Sequence, residues 1–161
     1  MRDIYELSED VSGKYSVPVL FDKKTNRIIN NESSEIIRIL NNAFDIPSID
    51  LYPERLRSII DETNAWIYPQ LNNGVYRCGF AQSQEAYDTA IIEVLTALER
   101  LEGILARQRY LCSNDQITEA DIRLYPTLVR YDEVYIVYFK ASYVYFCNRC
   151  ISFAILKILS Q

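Results

Sequence analysis

Thirteen tyrosines, four cysteines and no histidine set the chemistry open to this 161-residue chain. Without an imidazole, nothing has an unperturbed pKa near neutrality. That removes Ser-His-Asp and Cys-His catalysis and the usual histidine-bearing zinc sites. Cys147 and Cys150 form a Cys-x-x-Cys pair, but with no βαβ context, no second pair and no histidine they read as incidental. The adjacent carboxylates Asp132 and Glu133 point about 100° apart on a helix, so they suit a solvated helix end better than paired acid and base work. What remains is Asn30-Asn31-Glu32-Ser33-Ser34, which follows closely on Val17-Pro18. Free backbone N–H groups and hydroxyls at a helix start, beside a sheet edge, suit a small carboxylate or peptide. A hairpin and a capped helix with no ligand fit the same residues.

The elements that position these residues are legible from pattern. Val17 to Phe21 is a short β-branched and aromatic run, Asp22 to Asn26 a polar turn, and Arg27 to Asn30 a second strand, which together predict a hairpin. Asn30 or Asn31 is the expected cap of a helix whose apolar stripe is Ile36, Ile37, Ile39 and Leu40. Residues 3 to 9 fit either a short strand or a helical turn. Asp45 to Ser48 has the composition of a linker.

Beyond it the text turns helical. Pro53 suits a first helical position, Leu56, Ile59, Ile60 and Ile67 continue the period, and Pro69 ends or bends the helix. Gln70 to Gly74 reads as a turn and Val75 to Phe80 as a loop. Ser83 then caps a long helix, about Gln84 to Arg107, with a stripe of Ile91, Leu95, Leu98, Leu101 or Glu102, and Leu105, and a solvated face at Glu93, Glu99 and Arg100. Thr118 and Asp121 have the spacing of a capping box, with Ile117 and Ile122 in staple positions, opening a helix that Pro126 should kink.

The net charge of −5 and the absence of any basic run longer than Lys23-Lys24 argue against nucleic-acid partners. Apolar residues at 49% and charged residues at 24% are globular proportions. The N-terminus is charged from Arg2 and has no apolar signal-peptide core, so a cytoplasmic chain with reduced thiols is expected. The apolar run from Cys150 to Leu156 falls well short of the about 20 residues a membrane span needs, so no transmembrane span is expected.

The stretches VPVLFDK, NNESSEIIRIL, NNGVYRCGFA and ITEADIRLYPTLVRYDEVY closely resemble the Xi-class glutathione transferases, the glutathionyl-hydroquinone reductases, over roughly Arg2 to Lys140. The resemblance implies an α+β, mostly α fold: a partial thioredoxin-like domain of β-hairpin plus helix over 1–46, an all-helical glutathione transferase C-terminal domain over 47–140, and a divergent apolar tail over 141–161. It implies a cis Val17-Pro18 bond, with glutathione as co-substrate held by Val17, Pro18, Glu32 and Ser33, and a quinone pocket of Tyr76, Tyr135 and Tyr138. It makes Thr118 and Asp121 the structural capping box of the core helix. The implied partners are glutathione and glutathionyl-quinone small molecules, a homodimer is compatible with the family, and no metal is required. Where the family usually has alanine, this chain has Cys78.

The family's nucleophile is a cysteine in a Cys-Pro-aromatic segment, and none of the four cysteines is followed by proline. Family chemistry needs that thiolate to attack the sulfur of a glutathionyl-quinol and release the hydroquinone. The chain therefore reads as a truncated family member with no catalytic residue of its own and little or no activity. The alternative is a non-catalytic binding or scaffolding protein that keeps the helical domain.

Overall fold

The computed structural model describes residues 1–9, 13–43 and 50–142. The chain divides into two compact units, Met1–Asp50 and Leu51–Gln161. The expected boundary at residues 46–47 lies outside the described residues, as does most of the 141–161 tail, Cys147 and Cys150 included.

In the first unit, α1 (Arg2–Leu7) resolves the choice left open by its short pattern in favour of a helix. Strands β1 (Leu20–Asp22) and β2 (Arg27–Asn30) form the antiparallel hairpin, pairing Leu20 with Asn30, Phe21 with Ile28 and Asp22 with Arg27 around a bulge after Leu20. The expected first strand began three residues too early. The turn from Lys23 to Asn26 fixes the register, and β2 reaches only far enough to pair Leu20. Asp22 closes the turn, accepting from the Lys24 N–H at 2.8 Å and the Thr25 hydroxyl at 2.7 Å, while Asn26 takes the left-handed φ of +55° that asparagine tolerates.

Helix α2 (Ser33–Asn42) is capped by Glu32, not by Asn30 or Asn31. Because β2 runs through Asn30, the backbone cannot turn helical before residue 32. Asn30 instead braces the start from outside, accepting the Glu32 N–H at 2.6 Å and donating to Glu35 Oε2 at 2.5 Å.

Among the described residues of the second unit, every regular element is helical. A 3₁₀ turn at Glu54–Leu56 leads into α3 (Arg57–Ile67), a π-helical turn at Tyr68–Asn72 that absorbs Pro69, and α4 (Gly74–Gly79). The loop expected from Val75 to Phe80 is thus a helix. Val75 and Cys78, three apart on one face, are both buried, and that burial outweighs the breaker signal of two glycines. Gly74 is needed for packing, since a Cβ there would come 2.9 Å from Val94 Cγ2.

Helix α5 (Gln84–Leu105) starts at Ser83, whose Oγ accepts the Ala86 N–H at 3.2 Å, and buries Ala90, Ile91, Val94, Ala97, Leu98, Leu101 and Leu105. Its charged face is more engaged than the solvated reading allowed. Glu93 pairs with Arg77 at 2.5 Å, and the Arg100 guanidinium lies 4.2 Å over the Trp66 ring.

Helix α6 (Glu119–Val129) runs through Pro126, is followed by a π-helical turn at Tyr131–Tyr135, and leads to α7 (Ile136–Phe139). At its start the fully buried Asp121 carboxylate takes the Thr118 N–H at 2.9 Å, the Thr118 hydroxyl at 2.7 Å and the Leu111 N–H at 2.8 Å. One side chain therefore caps α6 and anchors the loop before it. Among the described residues, no helix is long and apolar enough to cross a membrane.

Candidate functional site

In the first unit the residues expected at the glutathione site lie on two exposed segments, Val17-Pro18 ahead of β1 and Glu32-Ser33 at the start of α2. The Val17-Pro18 peptide bond is cis. Glu32 turns its carboxylate over the helix start, where Oε1 accepts from the Ser34 hydroxyl at 3.2 Å and lies 3.4 Å from both the Ser34 N–H and the Ser33 hydroxyl.

One residue brings these segments together, and the sequence reading missed it. Tyr5 of α1 is 1% exposed; its hydroxyl donates to the Ser16 carbonyl at 2.9 Å, and the Asn31 side-chain amide donates to that hydroxyl at 3.3 Å. It thus ties the residue before Val17 to the residue before Glu32. The only available signal was an aromatic residue in a pattern too short to place.

In the second unit, Tyr76 on α4 and Phe80 just past its end, four apart, face Tyr135 and Phe139, four apart across the π turn and α7. Tyr76 meets Tyr135 and Phe139 edge to face at 5.5 and 5.3 Å, Phe139 meets Phe80 at 5.6 Å and Tyr135 at 5.5 Å, and Tyr76 stacks on Phe80 at 6.4 Å. The Tyr76 and Tyr135 hydroxyls lie 3.0 Å apart.

Tyr135 is buried and Tyr76 is 41% exposed. Burial, followed by its hydrogen bond to Tyr76, pushes the Tyr135 phenol up to about 12. It therefore keeps its proton at neutral pH, and either hydroxyl can be the donor within the pair. In the arrangement in which Tyr135 donates, the hydrogen of the half-exposed Tyr76 hydroxyl points outward, polarised by the bond it accepts. Tyr138, at 75% exposure on α7, lies outside the four-ring cluster.

Both described cysteines are buried free thiols. Burial pushes the Cys78 thiol up to about 11, and burial likewise raises that of Cys112, whose Sγ lies 3.6 Å from the Thr63 hydroxyl. Among the described residues, no cluster of histidine, cysteine, aspartate or glutamate is arranged to hold a metal ion.

Comparison with known proteins gives this arrangement its setting. The profile of the glutathione S-transferase C-terminal domain matches residues 84–146. The chain is 57% identical over 134 residues to the glutathionyl-hydroquinone reductase YqjG of Escherichia coli (strain K12), a match covering 81% of this chain and 40% of that protein. Among solved structures it superposes on glutathione transferase Xi 1 from Trametes versicolor with a TM-score of 0.86 at 47% identity, covering 98% of this chain and 56% of that one. It superposes on the glutathione-bound structure of YqjG, a glutathione transferase homolog from Escherichia coli K-12, with a TM-score of 0.85 at 49% identity, covering 95% and 49%. The chain thus spans roughly half or less of these relatives. The partial thioredoxin-like hairpin and helix, the helical second unit, the matched C-terminal domain and these neighbours show a glutathione transferase C-terminal domain in a fold shared with Xi-class glutathione transferases, among relatives named glutathionyl-hydroquinone reductases.

Proposed function

We propose that the chain carries binding elements for the glutathione-dependent reduction of glutathionyl-quinols to hydroquinones. Val17 offers its backbone to the cysteinyl part of glutathione, with Pro18 setting the approach, and Glu32 and Ser33 hold the γ-glutamyl end. Tyr76 and Tyr135 meet the quinone, and Tyr138 sits on the exposed rim. The observation that carries the reading is the Tyr76–Tyr135 hydroxyl pair set in a wall of rings. A flat aromatic ligand finds faces to pack on and, in Tyr76, a donor for its oxygen.

The thiolate that the reaction requires comes from neither Cys78 nor Cys112. For the chain as given, binding without turnover is the expected behaviour. That agrees with the second reading, a non-catalytic binding member of the family.

Two titrations test this. The melting temperature should rise with glutathione in the wild-type chain and stay flat in a Glu32→Gln, Ser33→Ala variant. The chain should also bind 1,4-hydroquinone in preference to 1,4-dimethoxybenzene, a preference lost in Tyr76→Phe. No rise with glutathione refutes the first assignment, and equal binding of the two aromatics refutes the second.

A further inference from the structure

The two ladders of rings, Tyr76 with Phe80 and Tyr135 with Phe139, meet the hydroxyl pair at one end and a close backbone approach at the other. At that far end Phe139 lies on Gly79. A Cβ on Gly79 would overlap the ring edge, with Phe139 Cγ at 2.8 Å and its Cβ at 2.9 Å, so only glycine admits the ring at this depth.

Phe139 is also held from its own side. Lys140, next in the chain, takes a left-handed φ of +55°, a conformation disfavoured for a residue with a Cβ. Three hydrogen bonds keep it there. The Tyr87 hydroxyl donates to the Lys140 carbonyl at 2.7 Å, the Tyr131 hydroxyl to the Ala141 carbonyl at 2.7 Å, and the Ala141 N–H to the Tyr135 carbonyl at 2.9 Å. Ala141 is fully buried, and burial raises the Tyr131 phenol well above its ordinary value, so that pin stays protonated. Phe139 thus touches Tyr76, Tyr135 and Phe80 while fixed by Gly79 beneath and a pinned strap behind.

We infer that Phe139 is a positioning residue, held against Gly79 by the Lys140–Ser142 strap, whose ring edge aligns the Tyr76 and Tyr135 hydroxyls into one hydrogen-bonding unit. This deepens the quinone reading and rests on it only for what the unit binds. The alignment itself belongs to the chain alone.

The test uses the full chain with tyrosine labelled at ¹³Cζ and each signal assigned by Tyr→Phe replacement. In the wild type, Tyr76→Phe should move the Tyr135 resonance, because the hydroxyl partner is removed. In Phe139→Leu, which fills the space without a ring edge, and in Gly79→Ala, which displaces the ring without emptying its place, the same replacement should leave Tyr135 unmoved. Helix content by circular dichroism and Trp66 emission should be unchanged in both. A Tyr135 response that survives in both backgrounds overturns the inference. Should one variant melt the domain, the other gives the reading. Binding of 1,4-hydroquinone against 1,4-dimethoxybenzene separates the two levels: coupled tyrosines without ligand preference sink the quinone reading alone, while a preference that persists in Phe139→Leu counts against positioning.

Discussion

Replacing Asp121 by alanine removes one buried side chain and orphans two backbone donors. The Leu111 and Thr118 N–H groups, bonded at 2.8 and 2.9 Å, lose their acceptor inside the core, and the Thr118 hydroxyl loses its bond to the same carboxylate. Each unsatisfied buried donor costs about 1–3 kcal/mol, so the pair costs about 4 kcal/mol. No longer burying a carboxylate trims this to about 3 kcal/mol, a large share of a stability of about 5–15 kcal/mol. With a urea slope of about 2 kcal/mol/M, the midpoint should fall by about 1.5 M. Trp66, the sole tryptophan, is nearly buried in the same helical unit and reports the transition by fluorescence. Asp121→Asn should cost less, because its amide oxygen still serves one of the two donors, and Thr118→Ala about 1 kcal/mol. A midpoint drop under about 0.5 M for Asp121→Ala, or an asparagine variant as weak as alanine, would refute the account.

Burial raises the Asp121 carboxyl above its ordinary value despite its hydrogen bonds, so the folded chain holds that proton more tightly than the unfolded one. This group's contribution is therefore fully favourable below the unfolded value of about 3.9 and declines as pH rises through the raised folded value. Urea melts across the acid range should show the advantage of wild type over Asp121→Asn shrinking with rising pH, and an advantage that grows contradicts the assignment. Cys78 and Cys112 should resist iodoacetamide at neutral pH until urea unfolds the helical unit; rapid labelling of either by mass spectrometry contradicts their burial. Gly74→Ala should cost about 1 kcal/mol in a urea melt, because overpacking against Val94 at 2.9 Å outweighs the gain in helix propensity, and a stabilised variant would show that Val94 yields freely.

Much of this fold is written locally. Ser83 and the Thr118–Asp121 spacing mark helix starts because capping chemistry lies within four residues of sequence. The hairpin was legible from its strands and turn. Its first boundary was not, since register depends on where β2 ends. Val75 to Phe80 misled because glycine signals a break locally, while burial of Val75 and Cys78 is a tertiary fact. Tyr76 and Tyr135 were singled out by resemblance, but their hydroxyl bond joins residues 59 apart and has no local signature. Tyr5 and Phe139 were invisible for the same reason: each acts by touching several distant residues at once.

In the first unit Tyr5 is the one buried apolar residue among those described, and no residue of α2 is buried. Every other buried apolar side chain described belongs to the helical unit. Opening free energies along the chain should therefore be sharply graded. Amides of β1, β2 and α2 should exchange with solvent deuterium through openings costing little, while those of α5 and α6 should exchange only near the global unfolding limit. The Ser16 and Asn31 contacts of Tyr5 would open with the former group. A glutathione that binds the first unit would then slow exchange there selectively, so the readout of occupancy is protection of the hairpin and α2 rather than a shift of the core.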